Sequence, residues 1–117
     1  MFIAGNWEEA AGGGRFEVTN PADGDVLADV ADGGGQDAAR AIDAAADAFP
    51  GWAGATAYDR SRALFKAWQI MMDRKEELAV TMTREQGKPI RAARNEVQYA
   101  ADFLQWYSEE AKRVYGT

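Results

Sequence analysis

The 117-residue sequence contains no cysteine and no histidine. Without them the chain can build no disulfide, no thiolate nucleophile, no imidazole base and no soft metal site. Serine occurs only at Ser61 and Ser108. Neither has a histidine or a Ser-x-x-Lys lysine to activate it, which excludes serine nucleophilic catalysis within this chain. Long apolar runs are also missing, and nothing approaches the roughly 20 residues needed to span a bilayer. Met1-Phe2-Ile3-Ala4 is too short for a secretory signal core and meets acidic residues by Glu8, so the expected compartment is the cytoplasm. Basic charge is in deficit, with 13 Lys and Arg against 19 Asp and Glu and a net charge of −6. An acidic surface repels phosphate backbones and anionic lipid heads, so neither nucleic acid nor a membrane is expected as a partner. What is present is ordinary. Hydrophobic residues make up 47% and charged residues 27%, a balance that predicts one folded globular domain rather than disorder.

The pattern predicts strands and turns over residues 1–34 and helices over 35–117, as one structural unit. Met1–Ala4 reads as a short apolar strand, followed by a Gly5-Asn6 turn and Trp7. Arg15–Thr19 alternates polar and apolar as a half-buried strand should, and Val26–Val30 reads as its partner. Asn20-Pro21-Ala22-Asp23-Gly24 between them is strong turn chemistry. A first helix is expected from about Gln36 to Phe49, with Asp37 at its positive end and Pro50-Gly51 stopping it. A second starts at Thr56, with Asp59 as capping-box partner and Leu64, Ala67, Trp68 and Met71 facing inward. A third covers Lys75–Gln86, with Leu78, Ala79 and Met82 inward. Gly87 serves as its left-handed stop, and Pro89 opens the next helix at its first position. The fourth is the longest, about 25 residues and near 38 Å. Its stripe is Ile90, Ala93, Val97, Ala100, Leu104, Tyr107, Ala111 and Val114. Phe103 and Trp106 widen that face beyond what a small bundle needs, which predicts a second surface covered by other parts of a larger protein.

The remaining motifs carry little chemistry. Gly12-Gly13-Gly14 and Gly33-Gly34-Gly35 match neither a Walker loop nor a dinucleotide fingerprint. Neither is expected in a clear strand–loop–helix unit with an acidic residue about 20 positions on. Glu76-Glu77 and Glu109-Glu110 are helix neighbours about 100° apart, so they do not converge as acid and base and read as solvated faces. The heptad-like stripe leaves open a coiled-coil dimer seam, although a helix packing over its neighbours explains it equally.

Several blocks resemble the N-terminal region of NAD(P)-dependent aldehyde dehydrogenases, nearest the succinate-semialdehyde branch. They are Phe2–Trp7, Thr19–Leu27, Phe49-Pro50-Gly51-Trp52, Arg60 with Arg62, Met82–Pro89, Glu96-Val97 and Tyr99–Phe103. Their order and spacing cover the entire chain. The resemblance implies a fragment of an α/β aldehyde-dehydrogenase fold, mainly helical here, with about four helices behind short N-terminal strands. It implies an NAD- or NADP-dependent parent that oxidises an aldehyde, succinate semialdehyde by wording, through a cysteine thiolate, a glutamate-activated water and an asparagine oxyanion donor. All of those groups, with the nucleotide-binding sheet, fall outside these 117 residues. The chain alone is therefore expected to be inactive and to bind no cofactor. The resemblance further implies a structural monovalent cation held near Thr19 and by Glu85, and a substrate entrance lined by Tyr99 and Phe103. The parent is expected to be a homo-oligomer, or this chain to self-associate through the exposed apolar helix face. The competing expectation is a free-standing helical dimerisation module without catalysis.

Overall fold

The computed structural model describes residues 1–114. Tyr115, Gly116 and Thr117 lie outside the described residues. The element order is β1 (Phe2–Ile3), β2 (Asn6–Trp7), β3 (Arg15–Thr19), β4 (Val26–Ala31), α1 (Gly35–Gly54), α2 (Ala57–Asp73), α3 (Lys75–Gln86) and α4 (Ile90–Glu110). The chain divides into two compact units, Met1–Gly54 and Ala55–Thr117, so α1 goes with the strands.

In the first unit, β1 and β2 pair antiparallel with Ile3 opposite Asn6. That register leaves Ala4 and Gly5 as the turn, one residue earlier than the expected Gly5-Asn6. Both have positive φ, 50° and 84°. Two-residue hairpins favour positive φ at both turn positions because that twist matches the strands. Gly5 adopts it freely, whereas Ala4 carries the Cβ cost. Mutual backbone bonds between Met1 and Glu8 close the ladder. The β3–β4 hairpin follows the expected pattern. Its connection is an Asx turn in which Asn20 Oδ1 accepts from Ala22 N at 3.0 Å. Asp23 Oδ1 accepts from Asp25 N at 3.0 Å. A bulge between Val18 and Thr19 shifts the register, so Thr19 faces Val26 rather than Leu27. Arg15 crosses the ladder, donating to Asp29 Oδ2 at 2.7 Å and to Glu9 at 2.5 Å.

The first helix overruns its expected stop. Pro50 lies inside α1, which continues through Gly51 to Gly54. Proline has a helical φ; it loses one backbone bond and crowds the carbonyl four residues back, which weakens the helix here without ending it. The apolar positions fall at helical spacing, yet Ile42 and Phe49 are 68% and 66% exposed.

The second unit is a three-helix assembly in which α2 and α3 both pack on α4. Thr56 caps α2: its Oγ1 accepts from Asp59 N at 3.1 Å and its hydroxyl donates to the Asp59 carboxylate at 2.6 Å. The third helix has the expected bounds, and Gly87 closes it in the left-handed conformation at φ 71°. Pro89 is the N-cap of α4, one position outside the expected first residue of the helix. Its φ of −55° suits entry, its ψ of 134° is still extended, and its carbonyl accepts from Ala93 N. The core is built on small residues: Ala79, Ala93 and Val97, with Met71, Leu78, Met82 and Ile90 packed around them. Alanines at helix contacts let the backbones approach closely, which is why so small a unit can bury three helices against one another.

The stripe on α4 corrects the sequence expectation in two respects. First, the helix has 21 residues, about 32 Å, and ends at Glu110, so Val114 falls beyond it and is exposed. Second, the fully buried positions are Ala93, Val97, Ala101 and Ser108, while Ala100 and Tyr107 are exposed. From Ala93 to Ser108 the buried face advances by about 3.75 residues per turn, following the 4-4-3-4 steps of a helix crossing its neighbours. A heptad seam repeats every 3.5 residues.

Candidate functional site

Residues carrying an expected role fall into three groups. The first contains the proposed cation ligands. Thr19 ends β3 beside the bulge in the first unit, and Glu85 is exposed in the last turn of α3 in the second. Within its own unit, Glu85 borders a shallow apolar groove with Met71, Leu78, Met82 and Glu96. Among the described residues no group of three or more carboxylates gathers to hold a metal.

The second group is the outer face of α4. Tyr99 and Phe103 meet edge-to-face with ring centres 4.9 Å apart, and Phe103 stacks on Tyr107 at 6.4 Å and 11°. With Trp106 and Asp102 they line an open cavity of about 360 Å³. The i, i+4, i+8 spacing of the three rings places them in one row. The sequence pattern puts Tyr107 on the inward stripe; in the structure it is exposed and belongs to this outer row.

The third group contains the polar residues weighed for catalysis. Arg94 of α4 grips Glu76 through two bonds of 2.6 and 2.8 Å, and this hydrogen-bonded pairing holds the Glu76 carboxyl below its usual range. Arg74 does the same to Glu77. Both carboxylates are held in exposed ion pairs with guanidinium groups. Ser108 is buried and donates to the Gln105 carbonyl at 2.6 Å.

The second glycine triplet needs a correction, because it does join a strand to a helix: β4 ends at Ala31 and α1 begins at Gly35. A helix N-terminus behind glycines is the usual setting for a phosphate. Here it is already filled. Asp37 is only 4% exposed, and its carboxylate accepts from Gly34 N at 3.0 Å, from Ala11 N at 3.0 Å and from Arg40 at 2.8 Å. The bonds from Gly34 and Ala11, then Arg40, hold its pKa below the usual aspartate range despite the opposing effect of burial. A fixed negative charge in place of the phosphate, and an antiparallel rather than parallel strand before the helix, leave these residues unfit for a dinucleotide.

The geometry therefore comprises two hairpins, a helix and a three-helix unit, with a row of aromatic rings exposed on α4. The chain belongs to the aldehyde dehydrogenase family, whose model matches residues 7–117. It is 44% identical to a glutarate-semialdehyde dehydrogenase of Pseudomonas putida, over 98% of this chain and 24% of that protein. It is 45% identical to the Escherichia coli succinate-semialdehyde dehydrogenase [NADP(+)] GabD, over 97% of this chain and 24% of that protein. The crystal structure of an NADP-dependent enzyme of E. coli superposes with a TM-score of 0.95 at 44% identity, over 99% of this chain and 24% of that one. The chain thus spans about a quarter of the length of the relatives it matches, and its helices and short antiparallel strands are those of an aldehyde-dehydrogenase fold. Among the described residues no helix is long and apolar enough to cross a membrane.

Proposed function

We propose that this chain is the N-terminal quarter of an NAD(P)-dependent dehydrogenase that oxidises a semialdehyde bearing a distal carboxylate, succinate semialdehyde or its one-carbon-longer homologue, to the dicarboxylic acid. The observation that carries this reading is the superposition of nearly the whole chain on an enzyme of the family at 44% identity. The names of the relatives support the substrate class. In this reading the thiolate, the water-activating glutamate and the dinucleotide site belong to the rest of the parent, since this sequence has no cysteine and its glycine-led helix start is filled by Asp37. Residues 35–117 form part of the parent's cofactor-binding domain. Tyr99 and Phe103 line the substrate entrance, Thr19 and Glu85 contribute to a structural monovalent-cation site, and the parent is a cytoplasmic homo-oligomer. The exposed rings of α4, and Ile42, Phe49 and Trp52 of α1, are surfaces that the remainder covers. The alternative, a dimerisation module with a heptad seam on α4, is weakened by the 3.75-residue advance of the buried face. The test is an NAD(P)H-forming assay of the purified 117-residue chain with succinate semialdehyde. The reading expects no turnover with either cofactor, and turnover abolished by no impurity control would overturn it.

A further inference from the structure

Net charge makes this chain a poor host for anions, yet one groove runs against that balance. Between α2 and the C-terminal end of α4 with the turn that follows it lies a cavity of about 600 Å³, lined by Ser61, Arg62, Phe65, Lys66 and Gln69 from one side and by Ser108, Glu109 and Lys112 from the other. Most cations of the chain are committed elsewhere. Arg15, Arg40, Arg62, Arg74, Lys88, Arg94 and Arg113 form ion pairs. Arg60 and Lys75 donate to Ala55 O and to Gln98. Among the described residues this leaves Lys66, Arg84, Arg91 and Lys112 without a partner, and two of these four face the same groove. A second observation is independent of charge. Ser61 is 8% exposed and lines the groove, and its hydroxyl is not one of the buried atoms left without a partner, so what surface the side chain keeps faces the groove. A hydroxyl on a groove wall can donate to an acceptor bound there.

The geometry points to a binding site for a phosphate-bearing small anion in this groove, with Lys66 of α2 and Lys112 of the turn after α4 supplying charge and Ser61 and Gln69 of α2 supplying neutral donors. A tetrahedral anion accepts from several directions at once, which fits donors arriving from opposite walls of the groove. A carboxylate prefers the planar fork of an arginine, and the only arginine here, Arg62, is held by Asp59. Glu109 at the rim opposes the site and limits its affinity. Nothing in the family reading assigns a role to these residues, and the site stands apart from the aromatic face of α4.

The test is a titration of inorganic pyrophosphate into the ¹⁵N-labelled 117-residue chain at low salt, followed by amide shifts. Saturable shifts at Ser61, Lys66, Gln69 and Lys112 are expected. The exposed-site double variant Lys66→Gln/Lys112→Gln should raise Kd about tenfold or more, Ser61→Ala should raise it less, and Glu109→Gln should lower it. Retained amide dispersion in each variant separates lost binding from lost fold. Absence of saturable shifts at millimolar pyrophosphate, an unchanged Kd in the double variant, or tighter binding of succinate than of pyrophosphate would each overturn the assignment.

Discussion

The two units of this chain are held together by different physics. Met1–Gly54 has little apolar core: Ile3 and Ala10 are its buried hydrophobic residues, and its 20-residue helix is exposed almost throughout. Hydrogen bonds do the ordering there, through the Asn20–Asp25 turn, the Arg15 clasp and the buried Asp37 carboxylate that ties Ala11 to the start of α1. Ala55–Thr117 is organised instead by alanines at helix contacts, with Ala79, Ala93 and Ala101 fully buried. The first unit should therefore answer to charge and turn chemistry, and the second to side-chain volume.

The largest effect is expected where volume is tightest. Ala93 has no exposed surface and sits where α3 meets α4. Ala93→Leu should destabilise the three-helix unit by about 1–3 kcal/mol through overpacking. Urea unfolding followed by helical circular dichroism checks this, and an unchanged midpoint would mean that the alanine contacts do not organise the unit.

Acid should act on the other unit. The Asp37 pKa is lowered in the folded chain, so the ionised carboxylate is the stabilising form. Its contribution is complete above the ordinary aspartate value of about 3.9 and is lost as pH falls through the lower folded-state value. Amide exchange at Ala11 and Gly34 should accelerate over that acid range, and Asp37→Asn should leave both amides fast-exchanging at neutral pH with no acid step. Protection in that variant equal to the parent's would show that Asp37 is not the tie.

A smaller, opposite change is expected in the first hairpin. Ala4 sits at φ 50°, which costs a residue with a Cβ but not glycine. Ala4→Gly should stabilise the first unit by roughly 0.5–1 kcal/mol. Thermal melting followed at Trp7 measures it, and a lowered midpoint would contradict the strain.

The same contrast explains what could be read from sequence. The elements of the second unit, the Thr56 cap and the Gly87 stop follow from spacing and local chemistry, and the structure reproduces them closely. The split of α4 into a buried and an aromatic face did not follow, because 3.5 and 3.75 residues per turn diverge only after three turns, so Ala100 and Tyr107 changed sides. In the first unit the β3–β4 turn was legible from Asn20-Pro21-Ala22-Asp23-Gly24. The role of Asp37 was only half visible. Its place in the first turn of α1 predicted a dipole contact, but its bond to Ala11, 26 residues away, is a long-range fact that no local pattern contains. Wording alone marked the family, whereas Ser61 and Lys112 line one groove only because α2 packs on α4 and the turn after it.

The central proposal is that this chain supplies the N-terminal framework of an aldehyde dehydrogenase whose reacting groups lie in the rest of the parent. The most direct measurement replaces the matching quarter of the E. coli succinate-semialdehyde dehydrogenase with residues 1–117 and assays aldehyde-dependent NADPH formation. A hybrid that folds and turns over succinate semialdehyde is the predicted result. A hybrid that is soluble and folded, binds NADP, and yet oxidises no semialdehyde would contradict it.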